Sequence, residues 1–262
     1  MIMKPEPKGS CESGQPPARV LLLKLQTHVG AFEADLYLPA SRSKAPLVIV
    51  AHGFWRNKAK MANWGRHLAE QGFAVAVPTL PSWADHARNG RAIGEMIDWI
   101  AANVSPSEGA DVDRVGLVGY SAGGLATLLA ANDPRVQVWI GLDPVDVAGK
   151  GVAAAKRQSC FALVLRGTPH ACNGNGNAQG IQAALTSRCL CLMVEGAKHS
   201  DPEWPTDLLA EAVCGKSSDA RRALFVRYAT AALRAEMLAD PQAKSVLDAA
   251  GTDAGIRLLA GQ

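Results

Sequence analysis

No apolar run in the 262 residues approaches the roughly 20 that a membrane-spanning helix needs, so membrane insertion is not expected. Basic bands are missing too. Lys and Arg are scattered, and a formal charge of +3 is small for this length, which leaves nucleic-acid binding without an electrostatic footprint and suits a small neutral or weakly anionic ligand. No internal repeat of fixed period is visible. The six cysteines are Cys11, Cys160, Cys172, Cys189, Cys191 and Cys214. None forms the C-x-x-C pair of zinc or redox sites, and neither a metal nor a cofactor is expected. Cys189 and Cys191 are two apart in an apolar run, where they share a strand face as small hydrophobes. Cys172 and Cys214 lie in loop-like stretches late in the chain, where a disulfide stays open as an alternative. Residues 1–17 are rich in Pro, Gly, Lys and Glu and lack the apolar core of a secretory signal, so they read as a flexible leader. No apolar segment precedes Cys11, which argues against a lipid anchor. Residues 18–262 fit one α/β domain with a large core; compartment and oligomeric state are left open.

What is present centres on Gly119-Tyr120-Ser121-Ala122-Gly123-Gly124. This stretch follows the apolar run Val115 to Val118 and opens the Ala-rich segment Leu125 to Ala131. A strand therefore runs into a helix through a serine flanked by glycines, the G-x-S-x-G nucleophile elbow. The sharp turn strains the serine backbone and leaves no room for side chains at the flanking positions. It lifts the hydroxyl of Ser121 out of the sheet, at a helix start whose unpaired N–H groups favour developing negative charge. The alternative is an ordinary Gly/Ser turn with an N-cap serine, which the strand-turn-helix context disfavours.

Around the elbow the chain alternates strand and helix signals. Val20 to Thr27 and Ala31 to Leu38 predict an antiparallel edge pair, and 39–46 a polar connection. Leu47 to Ala51, Phe73 to Val77, Val136 to Leu142, Cys160 to Leu165 and Arg188 to Val194 predict parallel strands, the last closing the core. Helical spacing marks Asn57 to Gln71, closed by Gly72, and the stripe Ile93, Met96, Ile97, Ile100. A long helix over Asp219 to Ala239 has Leu224, Phe225, Tyr228, Ala232 and Leu233 inward and stops at Asp240-Pro241. Pro78 to Asn89 reads as a loop carrying Trp83, Asp85 and His86, and the tail after 241 has no assigned structure.

With the elbow and this order of elements, the chain resembles the α/β-hydrolases over roughly residues 20 to 235. The resemblance implies a mostly parallel central sheet with helices on both faces. A short connection from Asp146 to Cys160 argues against a large lid. It also implies that the loop after Leu47–Ala51, His52-Gly53-Phe54-Trp55, supplies an oxyanion-hole donor: Phe54 N–H, paired with Ala122 N–H. His52 precedes the serine and is expected to be a structural hydrogen-bonder rather than a base. Trp55 and Trp83, with Tyr120 beside the serine, are the substrate-binding candidates.

A serine needs a base, and the base a carboxylate, in the family order Ser, acid, His. Only His170 and His199 follow Ser121. His199 stands just past the last predicted parallel strand, where the family puts its base; His170 is one strand too early. No Asp or Glu occurs between Val147 and Val194, which leaves Asp143 and Asp146, with Glu195 a poor third. Gly141-Leu142-Asp143-Pro144-Val145 resembles the acid-bearing stretch of pancreatic-type lipases and plant chlorophyllases, so Asp143 is preferred to Asp146. The chlorophyllase likeness extends to His52-Gly53 and the cysteine-and-asparagine loop near Cys172. Tyr120 and Ala122, however, stand where those enzymes usually carry His and Arg. The expected function is a cofactor-free serine carboxylesterase acting on small or medium esters through Ser121, His199 and Asp143. Thioesters, lactones or polyesters are alternative substrates, and a ligand-binding protein without catalysis is the alternative from another class.

Overall fold

The computed structural model describes residues 19–40, 44–104, 109–186 and 188–259. The expected leader, 1–17, lies outside the described residues, as does part of the expected connection at 41–43. Strands β1 (Arg19–Thr27), β2 (Gly30–Leu38), β3 (Ala45–Ala51), β4 (Ala74–Pro78), β5 (Ala110–Tyr120), β6 (Val136–Leu142), β7 (Phe161–Arg166), β8 (Cys189–Val194) and β9 (Ile256–Leu258) form one sheet. Among the described residues its order is β1-β2-β4-β3-β5-β6-β7-β8-β9. From β4 through β8 all pairings are parallel, while β1, β2 and β9 add antiparallel edges. This is the mostly parallel α/β-hydrolase sheet that the sequence predicts.

Burial on both faces explains why the central strands are continuous apolar runs rather than alternating ones. In β3, Leu47, Ile49 and Ala51 enter one core layer, and Val48 and Val50 enter the other. The first layer packs under helices α2 (His86–Asn103) and α3 (Ala122–Ala130), with Ile93, Met96, Ile97 and Ile100 as the inward stripe of α2. On the opposite face lie α1 (Ala62–Glu70), α7 (Asp219–Leu238) and α8 (Pro241–Asp248), contributing Trp64, Leu68, Phe225, Tyr228 and Leu233. Among the described residues the remaining α-helices are the shorter α4 (Lys150–Ala155), α5 (Ala178–Ala184) and α6 (Leu208–Cys214). No helix among the described residues is long and apolar enough to cross a membrane.

Several boundaries differ from the sequence expectation, four of them for identifiable reasons. Strand β3 starts at Ala45, whose N–H donates to Gly109 O at 2.6 Å, and its register slips between Pro46 and Leu47, where proline supplies no donor. The Asn57–Gln71 helix is a 3-10 turn, Lys58–Met61, followed by α1. Helix α2 begins at His86 rather than after Asn89, because the carboxylate of Asp85 caps it by accepting Arg88 N–H at 2.9 Å. The tail is ordered into α8, capped by Asp240, and β9 pairs antiparallel with β8, so β8 is the last parallel strand but not the sheet edge.

The crossovers leave β3 toward β4 on one side and return to β5 on the other. Loops after β3 and β5 therefore meet over a crevice at the carboxyl ends of adjacent strands. Those ends carry Gly53-Phe54 and Ser121; β6 and β8 deliver Asp143 and His199 to the same rim.

Candidate active site

Ser121 has φ 54° and ψ −122°, a conformation L-residues rarely adopt, and the turn around it is pinned by hydrogen bonds. Its N–H donates to Leu142 O at 3.1 Å, and its carbonyl accepts Gly124 N–H at 2.9 Å and Val145 N–H at 3.2 Å. A side chain at Gly119 would strike the Gly123 carbonyl, and one at Gly123 would strike the carbonyls of Ala51 and His52. Both glycines are thus required by close backbone approach. Ala122 is the first residue of α3, so its N–H belongs to the first-turn amides that lack an intrahelical acceptor.

His199 Nε2 lies 2.9 Å from Ser121 Oγ, and His199 Nδ1 lies 2.6 Å from Asp143 Oδ2. All three side chains are buried. Asp143 follows β6 with φ 44°, and its own N–H donates to Leu165 O at 2.6 Å, which directs the carboxylate along the rim toward β8. The acceptor Oδ1 takes Gly167 N–H at 2.8 Å, while Oδ2 is shared between the imidazole and Asn173 Nδ2. Because a carboxylate only accepts, the shared proton belongs on Nδ1, and Nε2 faces the serine hydroxyl as acceptor.

The competing residues are engaged elsewhere. Asp146 Oδ1 accepts Gly151 N–H at 2.6 Å, Glu195 pairs with Arg257 at 2.6 Å at the surface, and His170 Nδ1 accepts Cys172 N–H at 3.2 Å. His52 uses both ring nitrogens: Nδ1–H donates to Gly53 O at 2.7 Å and Nε2 accepts Leu80 N–H at 3.0 Å. Burial pushes its pKa down to about 4, only partly opposed by the Gly53 bond, so the ring is neutral and holds the loop that presents Phe54.

Phe54, Trp55 and Trp83 are 51%, 67% and 62% exposed, too open for core residues. They stack in series: ring centroids are 5.2 Å apart for Phe54 and Trp55 and 5.5 Å for Trp55 and Trp83, with interplanar angles of 13° and 28°. Beside this ladder is a small cavity of about 40 Å³ bordered by Gly53, Leu80, His86, Asn89 and Ala122. Tyr120 is placed differently from Trp55 and Trp83. It is only 5% exposed, its ring centroid lies 5.1 Å from that of His199, and it fills the space over Gly53. Its ring is tilted 39° against the imidazole and nearly closed to solvent, and burial, with Glu203 and Asp143 adding to it, keeps its phenol protonated.

Several supporting residues escaped the sequence reading. Asn173 is fully buried and donates to Asp143 Oδ2 at 3.0 Å. Asp201 secures the His199 loop to α7 by accepting Lys198 N–H and Arg221 Nε–H at 2.6 Å and Ser218 N–H at 2.7 Å. Glu203 is buried 3.0 Å from Arg56 Nε; burial raises its pKa and Arg56 opposes the rise. Cys172 and Cys214 form a disulfide, which joins the Asn173 loop to α6. Only the cysteine pair and the Asn-Gly run near it had marked this loop in the sequence.

A family described as "PETase: PET hydrolase-like" matches residues 5–154, more than half of the chain. The chain belongs to this family. The PET hydrolase-like match contains Phe54, Ser121 and Asp143 and ends before His199. Similar curated proteins include a bis(hydroxyethyl) terephthalate hydrolase of Streptomyces coelicolor, 33% identical over 42% of this chain and 36% of that protein. Chlorophyllase-2 of Arabidopsis thaliana is 26% identical over 43% of this chain and 40% of its own length. A 20-hydroxy-prefusarin hydrolase of Gibberella moniliformis is 28% identical over 43% and 30%. The chain thus spans less than half the length of these relatives.

Proposed function

We propose that this protein is a serine carboxylesterase in which Ser121 is the nucleophile, His199 the base and Asp143 the acid. The observation that carries the reading is the continuous line Ser121 Oγ, His199 Nε2, His199 Nδ1, Asp143 Oδ2, with contacts of 2.9 and 2.6 Å. Ser121 Oγ attacks the ester carbonyl carbon as its proton passes to His199 Nε2, and Asp143 stabilises the imidazolium. The N–H groups of Ala122 and Phe54 hold the tetrahedral oxygen; losing one such donor typically costs about 3 kcal/mol of transition-state stabilisation. The imidazolium then protonates the departing alkoxide. Water, deprotonated by the same Nε2, attacks the acyl carbonyl and releases the acid and free Ser121.

For substrate we propose small to medium esters with a flat aromatic part laid on the Phe54–Trp55–Trp83 ladder. Exposed stacked rings favour such a ligand, and the name of the Streptomyces relative points the same way. The test is hydrolysis of bis(hydroxyethyl) terephthalate and p-nitrophenyl butyrate beside a thioester and a lactone. The expected result is ester turnover and fluorophosphonate labelling, both lost in Ser121→Ala. A folded protein that neither labels nor turns over any member of the panel would instead be a ligand binder.

A further inference from the structure

Asn173 lies in the loop between β7 and α5, where it is fully buried and makes no hydrogen bond to Ser121 or His199. Its side chain nevertheless meets the carboxylate oxygen that the imidazole uses. Nδ2 donates to Asp143 Oδ2 at 3.0 Å and to Thr168 O at 2.9 Å, while Oδ1 accepts His170 N–H at 2.8 Å and Gly176 N–H at 2.9 Å. All four hydrogen-bonding positions of the amide are filled, two by acceptors and two by donors. Turning the amide over would set nitrogen against two N–H groups and oxygen against a carboxylate and a carbonyl, so its orientation is fixed by its surroundings. With Gly167 N–H on Oδ1, the Asp143 carboxylate is gripped at both oxygens before His199 is counted.

The loop around Asn173 is itself anchored. Arg166, buried at the end of β7, donates to Gly176 O and to Gln182 Oε1, each at 3.1 Å. The neighbouring Cys172 is bonded to Cys214. By contrast Asn177, four residues on, exchanges a pair of hydrogen bonds with the backbone of Asp146, at 2.9 and 2.8 Å, and does not reach Asp143.

From this geometry we infer that Asn173 is a positioning residue for the Ser121–His199–Asp143 line: it fixes the rotation of the Asp143 carboxylate so that Oδ2 points at His199 Nδ1. The inference rests on the triad proposed above and extends it to a fourth side chain. Without Asn173 the carboxylate keeps only Gly167 N–H and the imidazole itself, so its rotation about Cβ–Cγ is less constrained and the imidazole it orients loses alignment with Ser121 Oγ. Small misplacements of this kind cost large factors in rate without weakening ground-state binding.

The test compares Asn173→Asp, Asn173→Ser and Asn177→Ala with the parent protein. Aspartate loses the donor and sets a second acceptor against Asp143; serine keeps an acceptor for His170 N–H but is too short to reach the carboxylate. In both Asn173 variants kcat for p-nitrophenyl butyrate is expected to fall about tenfold or more with KM little changed. The downfield proton resonance of His199 Nδ1–H is expected to shift or broaden. Asn177→Ala, which perturbs the same loop, is expected to lower Tm while leaving kcat and that resonance in place. Unchanged kcat and an unmoved resonance in either folded Asn173 variant overturn the inference, as does an equal loss of kcat in Asn177→Ala. Retained turnover in Ser121→Ala would instead refute the esterase reading itself, and the resonance is read independently of turnover.

Discussion

Asp143 Oδ2 and His199 Nδ1 are 2.6 Å apart although 56 residues separate them, and the carboxylate arrives from β6, two strands before the β8 strand that leads to the imidazole. The span β7 lies between them in the sheet, so the Asp143 side chain reaches across the end of a neighbouring strand. Its backbone in the left-handed region, with the N–H tied to Leu165 O of β7, makes that reach geometrically direct.

Separate Asp143→Asn and Asp146→Asn variants are therefore expected to behave differently. Asparagine at 143 can present N–H to Nδ1 and so favour the wrong tautomer, a change that typically lowers kcat by roughly 10⁴-fold. At 146 the side chain serves Gly151 N–H, and an amide oxygen there can accept the same bond. Steady-state kinetics on p-nitrophenyl butyrate should show near-parent kcat for Asp146→Asn; a comparable collapse in both variants would contradict the assignment.

The parallel strands and the elbow were legible because burial on both faces writes itself as short β-branched runs, and because backbone contacts at Gly119 and Gly123 exclude any side chain. For the proposed base, His199, the family's chain order left two histidines to choose between; the proposed acid, Asp143, was preferred to Asp146 only through the resemblance of Gly141-Leu142-Asp143-Pro144-Val145 to the lipase and chlorophyllase stretch. The Asn173 bond had no such signature: one asparagine in an Asn-Gly run looks like turn chemistry until the β7 loop is folded over β6. Tyr120 misled for a related reason. Adjacency to the nucleophile in sequence suggested the crevice, but strand alternation turns successive side chains to opposite faces, and Tyr120 points into the core layer with Val118. The ends of β3 and α2 shifted because local caps and proline, not periodicity, set them.

Trp55 is the middle ring of the exposed ladder and Trp83 one end of it, and a ring stacked against a flat ligand contributes about 0.5–1.5 kcal/mol beyond its area. Trp83→Ala is expected to raise KM for bis(hydroxyethyl) terephthalate by roughly two- to tenfold, with a smaller change for an aliphatic ester of similar size. Equal effects on both substrates would assign Trp83 to loop support rather than to the ligand.

The Cys172–Cys214 bond closes a span of 42 residues. In the chain-entropy account a loop of that size restricts the unfolded state by about 4 kcal/mol. A Cys172→Ser, Cys214→Ser double variant is expected to melt several degrees lower, and the parent to fall to a similar Tm under reducing conditions. Since the bond also ties the Asn173 loop to α6, kcat should drop in step with the loosening of that loop. A reduced protein with parental Tm would show that the crosslink contributes nothing in solution.

His52 is expected to contribute to the acid side of the stability profile. Its ring nitrogens are both occupied in the neutral form, and burial holds its pKa near 4, against about 6.5 for a free imidazole. Between those two values the unfolded chain binds a proton that the folded chain refuses, so unfolding free energy rises with pH across the window and falls as the solution is acidified. Above about 6.5 the contribution is complete; below about 4 both states are protonated and no further loss comes from this residue. The difference corresponds to about 3 kcal/mol. His67 and His86, lowered first of all by burial, act with the same sign. Asp207, held at about 2 by its Lys60 bond first, keeps its contribution at neutral pH and loses it only on further acidification, between the unfolded carboxyl pKa of about 3.9 and about 2. Urea unfolding from pH 7.5 to 4.5 is expected to show this decline in the parent. In His52→Asn the decline should be shallower, even though stability at neutral pH is lower because Leu80 N–H loses its imidazole acceptor. Parallel pH profiles for the two proteins would place the acid sensitivity in other residues.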